Sequence, residues 1–133
     1  MNADERCSGL AAAARCRRSQ LLKLAETVAE REPIRLVDPP EAQTVMLEIQ
    51  SPIGEFCAVE VVVTTARIDL GQRSGWGCVL GWDAEGAVAC ALLDASGGPE
   101  VEAVAAASLA VEADAREERS RALATTHVGG EQG

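Results

Sequence analysis

The spacing of apolar residues changes repeatedly along the chain, and each change predicts an element. Leu10, Ala14, Leu21, Leu24 and Val28 recur at alternating steps of four and three, with Arg17 at the one broken step. This pattern predicts one amphipathic helix over about residues 10–31, ended by Pro33. Its stripe is narrow, close to a coiled-coil seam, and needs a neighbour to cover it. Ile34–Val37 reads as a short edge strand, and Asp38-Pro39-Pro40 as the break that begins a loop. From Gln43 to Gln50 the period becomes two: Val45, Leu47 and Ile49 on one face, Thr44, Met46, Glu48 and Gln50 on the other. That alternation predicts a half-buried strand. Ser51-Pro52-Ile53-Gly54 has the residue order of a type I turn.

A second strand follows over Phe56–Leu70, with Val59, Val61 and Val63 on one face and Ala58, Glu60, Val62 and Thr64 on the other. A glycine turn at 71–75 leads into a third strand over about 75–82. Its odd positions Gly75, Gly77 and Gly81 leave one face bare for close approach, opposite Trp76, Cys78, Leu80 and Trp82. Asp83 is placed to cap a helix that buries Ala87, Val88, Ala91, Leu92 and Ala95 and closes before Gly97-Gly98-Pro99. A last helix over about 100–123 carries a weak stripe of Val101, Val104, Ser108, Val111 and Ala115. The expected architecture is α+β: an antiparallel sheet of three to four strands, with an N-terminal helix and C-terminal helices packed on it. Residues 1–125 read as a single domain and 126–133 as a flexible C-terminal tail.

Composition narrows the function classes. The chain is 47% hydrophobic but has no Tyr, one Phe and two Trp, so its core must be built from thin aliphatic side chains. Residues 1–35 hold seven Lys/Arg against five acids, a net of +2, and the remainder carries −11. So acidic a body repels phosphate backbones and, lacking stacking aromatics, argues against nucleic-acid binding. Cysteines at 7, 16, 57, 78 and 90 are odd in number and show no C-x-x-C pair, which suits a reducing cytoplasm rather than a disulfide framework or zinc site. No apolar run reaches the roughly 18 residues a membrane helix requires.

The residues offer little chemistry. Gly75-x-Gly77-x-x-x-Gly81 has the wrong spacing for a dinucleotide loop and lies within a strand. Asp83 and Asp94 share a helix side but stand about 16 Å apart at ~1.5 Å per residue, too far for a carboxylate pair. Capping suits Asp83, and a solvent or interface contact suits Asp94. His127, the only histidine, has no neighbour to orient it as a base. No catalytic, cofactor-binding or metal-binding residue is assigned. Arg15, Arg17, Arg18 and Lys23 form a basic patch, read either as a solvated face or as a dock for an acidic partner. Trp76 and Trp82 share a strand face, read either as core or as interface anchors. The candidate interface residues are therefore Arg17, Leu21, Leu24, Val28, Trp76 and Trp82.

Phe56, Glu60, Val63, Thr64, Ala66, Leu70, Gly75, Gly81, Asp83, Ala87, Ala91, Asp94 and Ala95 stand in the order in which this segment resembles the PhnG family, the small subunit of the bacterial carbon–phosphorus lyase core complex. The likeness extends over about residues 10–125. The chain departs from the family pattern at Thr65 and Trp82, where arginines are usual, at Val88, and in lacking the aromatic ending. The resemblance implies a bacterial cytoplasmic, non-catalytic subunit that assembles with the H, I and J subunits. That complex transfers a phosphonate to the ribose C1 of MgATP with release of adenine, giving ribose 1-phosphonate 5-triphosphate. The I subunit is the implied catalyst, with an L subunit assisting. A later radical step in the J subunit uses S-adenosylmethionine and an iron–sulfur cluster. No cofactor is implied for this chain itself. Self-association and a free-standing small-ligand-binding or regulatory domain using the Trp76/Trp82 face are the other readings.

Overall fold

In a computed structural model of the chain, residues 1–50 and 53–132 are described, without the side chains of 47, 49 and 123–132. The order is α1 (Ala3–Cys16), α2 (Arg18–Arg31), β1 (Ile34–Gln50), β2 (Phe56–Leu70), β3 (Arg73–Leu80), α3 (Ala84–Ser96) and α4 (Pro99–Gln132). The sheet is three-stranded and antiparallel in the order β1-β2-β3, so the α+β architecture is as the pattern predicts.

The first helical stretch differs from expectation. It starts at Ala3 and is two helices, broken at Arg17, whose backbone (φ −138°, ψ 41°) leaves the helical region for one residue. Arg17 is the step at which the apolar alternation fails. Asn2 caps α1 by accepting from the Glu5 N–H, whereas α2 opens without a side-chain cap. The Asp38-Pro39-Pro40 segment also differs: it lies inside β1. Two register shifts, between Leu36 and Asp38 and between Asp38 and Glu41, absorb it as a bulge. β1 is an edge strand, so prolines lacking an N–H cost it no ladder bond on its outer side. The turn expected at 51–54 lies partly outside the described residues, and α4 continues to Gln132, past the predicted end near 123.

Register assigns the faces. Ile68, Ala66 and Thr64 on β2 stand opposite Gly75, Gly77 and Val79 on β3, and all are buried beneath α3. A Cβ added at Gly75 would stand 1.9 Å from the Ala91 carbonyl oxygen, and one at Gly77 2.2 Å from that of Ala87. The bare strand face therefore exists to seat the α3 backbone, as the spacing predicts. Gly81 is different. It has open space around it and a φ of +75°, so it serves the turn that leaves β3 rather than the close approach. α1 lies against α3 and touches β3, and α4 packs across α1. There Gly9 permits contact with Ala105, where an added Cβ would stand 2.6 Å from the Ala105 Cβ. Leu10, Leu21, Ile68, Leu70 and Leu93 fill the space between helices and sheet. Buried Ser108 turns its hydroxyl back to the Val104 carbonyl, and α4 buries Val101, Val104 and Ala105 but leaves Val111 exposed.

Candidate interaction surface

Most of the polar residues picked out by sequence are tied inside the fold. Asp83 accepts from the Gly86 N–H at 2.9 Å as the α3 cap and takes a two-pronged contact from Arg18 at 2.6 and 2.8 Å. The Arg18 guanidinium, followed by the Gly86 N–H, holds the Asp83 carboxyl below its ordinary range, and the Arg18 pKa is raised in turn by the same hydrogen bond. Thr64 completes the node. Its buried hydroxyl donates to the Gly81 carbonyl at 2.6 Å and accepts from the Asp83 N–H at 2.9 Å. One hydroxyl thus joins β2, the Gly81 turn and the start of α3.

Asp94 is an internal clip rather than a solvent or interface contact. It accepts from Arg6 Nε at 3.1 Å and from the Trp76 N–H at 3.0 Å, so it covers a backbone donor of β3 and ties α1 to α3. The basic patch is divided. Arg15 pairs with Glu112 on α4, Arg18 with Asp83, and Arg17 buries its Nε without a hydrogen-bond partner among the described residues. Arg73 pairs with Glu32 at 2.6 Å and donates to the Ser96 carbonyl. Burial pushes the Cys90 thiol up to about 12, and it raises Cys7 and Cys78 as well; Cys90 Sγ contacts the Leu10 carbonyl at 3.3 Å.

The six candidate interface residues separate into two places. Leu21 is fully buried, which corrects its assignment to a surface seam, and Leu24 and Val28 are half-buried against the same core. The α2 stripe meets its neighbours within the chain. Trp76 and Trp82 are 46% and 66% exposed, so the core reading of both is set aside. Trp76 and Leu80, the latter 53% exposed, project from the face of β3 opposite α3, while the Asp94 bond occupies only the Trp76 backbone.

Sequence reasoning missed the larger part of this surface. β3 pairs only with Val63–Leu70 of β2, whereas β1 follows β2 as far as the Gln50–Phe56 pair. The strands over 43–50 and 56–62 therefore extend as a two-stranded arm beyond the body. Alternation predicts one covered face, yet Met46, Phe56 and Val62 are exposed on one side and Val59 on the other. Phe56–Glu60 and Val62 of β2 are all exposed, so the period-two pattern does not end in burial along the arm. The available signal was length: β2 has 15 residues and β3 only 8.

No curated protein matches the chain. A family model does match, that of the phosphonate metabolism protein PhnG, over residues 4–129. Seven of the residues on which the resemblance is read work in the fold: Thr64, Gly81 and Asp83 in the capping node, Gly75, Ala87 and Ala91 at the strand–helix contact, and Asp94 in the edge clip. With nearly the whole chain matched, this protein belongs to the PhnG family of phosphonate metabolism proteins.

Proposed function

We propose that the chain is a non-catalytic subunit of the carbon–phosphorus lyase core complex. In that role it supports transfer of a phosphonate to the ribose C1 of MgATP with loss of adenine. The H, I and J subunits are its partners in the bacterial cytoplasm. MgATP, S-adenosylmethionine and the iron–sulfur cluster are handled by other subunits. Family membership supports the pathway. One structural observation supports the subunit role: a protein of this size leaves Phe56, Leu80 and Trp82 each more than half exposed, and Trp76 and Val62 nearly so, over both faces of the sheet. So many large apolar side chains left in solvent, two tryptophans among them, favour a surface that a partner covers.

The ionisable groups fit the same reading. Asp83, Asp94, Glu32 and Glu112 each hold an arginine, so their charge is used to join elements. The chain then contributes shape to a larger subunit. Expressed alone, it should be poorly soluble or self-associated, and co-expression with the I subunit should give a stable complex. A monodisperse monomer that does not bind the I subunit in a pull-down overturns the proposal. Tryptophan fluorescence of the isolated chain provides the opposing test, because a saturable change on adding phosphonate or nucleotide would favour a ligand-binding module.

A further inference from the structure

The arm offers a strand position that nothing in the described chain fills. β3 leaves the sheet at Leu80, and the Gly81 N–H makes a last bond to the Val62 carbonyl at 2.7 Å before the positive φ of Gly81 turns the chain toward α3. The Val62 carbonyl therefore faces the β3 side. Alternation along β2 turns the N–H and C=O of Ala58 and Glu60 the same way. No strand lies beside them among the described residues. Other edges are interrupted in part: Asp94 covers the Trp76 N–H of β3, and the Asp38–Glu41 bulge with its two prolines breaks the base of β1, whose outer edge stays open only along the arm. An open edge flanked by Phe56, Val59 and Val62 is a template for a further strand.

Charge selects the occupant. Between Arg35 and Arg67 the chain carries Asp38, Glu41, Glu48, Glu55 and Glu60 and no Lys, Arg or His, a net of −5. Register places Glu48 opposite Ala58 and Met46 opposite Glu60, so Glu48 and Glu60 share one face of the arm. Neither is in an ion pair among the described residues. The other face presents Val45, Val59 and Val61 beside Leu80 and bears no charge. A second copy would bring another acidic arm against this one. A strand with bases on one face and apolar residues on the other matches both faces.

We propose that the lane beside Phe56–Val62 of β2, which β3 vacates at Gly81, receives a β-strand from a protein partner in which Lys or Arg alternates with apolar residues. This rests on the subunit reading only in naming the I subunit as the first partner to test.

The full chain is measured against immobilised I subunit by surface plasmon resonance, with folding of each variant checked by circular dichroism. Ala58→Pro removes an N–H that points into the lane and leaves β1 pairing intact; it should weaken binding about tenfold or more. Glu60→Lys should weaken it in a salt-dependent way. Met46→Pro, which blocks the outer edge of β1 instead, should bind as wild type. Equal binding by Ala58→Pro, or loss confined to Met46→Pro, overturns the proposal. Should a proline variant misfold, amide exchange of the wild-type complex decides. Ala58 and Glu60 should become protected while Met46 and Glu48 stay fast, and unprotected Ala58 and Glu60 overturn the proposal.

If the wild-type chain does not bind the I subunit, the functional reading fails by itself. A labelled peptide of about seven residues alternating Lys and Val then tests the lane by fluorescence anisotropy. Binding that Ala58→Pro abolishes supports it, and no binding, or binding that the variant leaves unchanged, overturns it. Self-association that Ala58→Pro abolishes and added salt strengthens would assign the lane to a second copy and likewise overturn it.

Discussion

The body and the arm are made of similar residues put to opposite use. In the body, small side chains let backbones approach, and Asp83, Asp94 and Glu112 each hold an arginine from a neighbouring element. In the arm, branched and aromatic side chains stand exposed, and carboxylates occur without a single base between Arg35 and Arg67. A two-stranded ribbon is marginal by itself in water. The contrast teaches that the polar chemistry of this chain builds its fold, while its apolar surplus is left exposed on the arm.

The sharpest way to break this comparison is to disturb the strand–helix seat. Gly75→Ala places a methyl group against the Ala91 carbonyl and should destabilise the chain by ~3 kcal/mol or more, or prevent folding, as read by urea denaturation. Val62→Thr on the arm should move the same midpoint little. If the two variants are equally harmful, body and arm are not distinct in the way described.

The capping node comes next. Thr64→Val leaves the Gly81 carbonyl and the Asp83 N–H without their partner and should cost roughly 1–3 kcal/mol in the same assay. Asp83→Ala removes both cap and ion pair and should cost about 2 kcal/mol. The depressed Asp83 carboxyl also sets a pH dependence. Its stabilisation is fully present above the unfolded value of roughly 3.9 and is lost as pH falls through the lower folded value. Asp83→Asn should therefore flatten the acid limb of the stability profile, and an unchanged limb would remove Asp83 from that role.

Smaller effects on the fold sharpen the contrast from the other side. Trp82→Ala should change the stability of the isolated chain by less than ~0.5 kcal/mol, because the side chain is mostly exposed. The same variant should weaken co-purification with the I subunit by about 2 kcal/mol if Trp82 anchors that contact. The smallest effect is chemical. Thiol titration of the native chain should modify exposed Cys16 and Cys57 first and spare Cys90, whose thiol is both buried and raised.

Much of the fold was legible because its signals are local. Period-two runs mark β2, the Asp83 cap and Gly97 bracket α3, and the alternating glycines announce a close approach that the Ala87 and Ala91 carbonyls make. Three of the readings that went astray show how geometry beyond the local sequence decided. The one-residue break at Arg17 is a kink that spacing registers without showing its angle. The Pro39-Pro40 segment reads as a loop unless β1 is known to be an edge strand. Leu21 belongs to the same stripe as Leu24 and Val28, and only the placement of α3 and α4 makes it core.

The amino-acid order alone determined the type and order of most elements and the face of β3 that glycine leaves bare, because both follow from side-chain volume and backbone preference within a few residues. Tertiary structure decided which apolar faces are satisfied. Exposure depends on what lies across from a residue, and the early end of β3 leaves Phe56–Val62 paired to β1 alone among the described residues, while α3 closes over the same alternation in Thr64–Leu70.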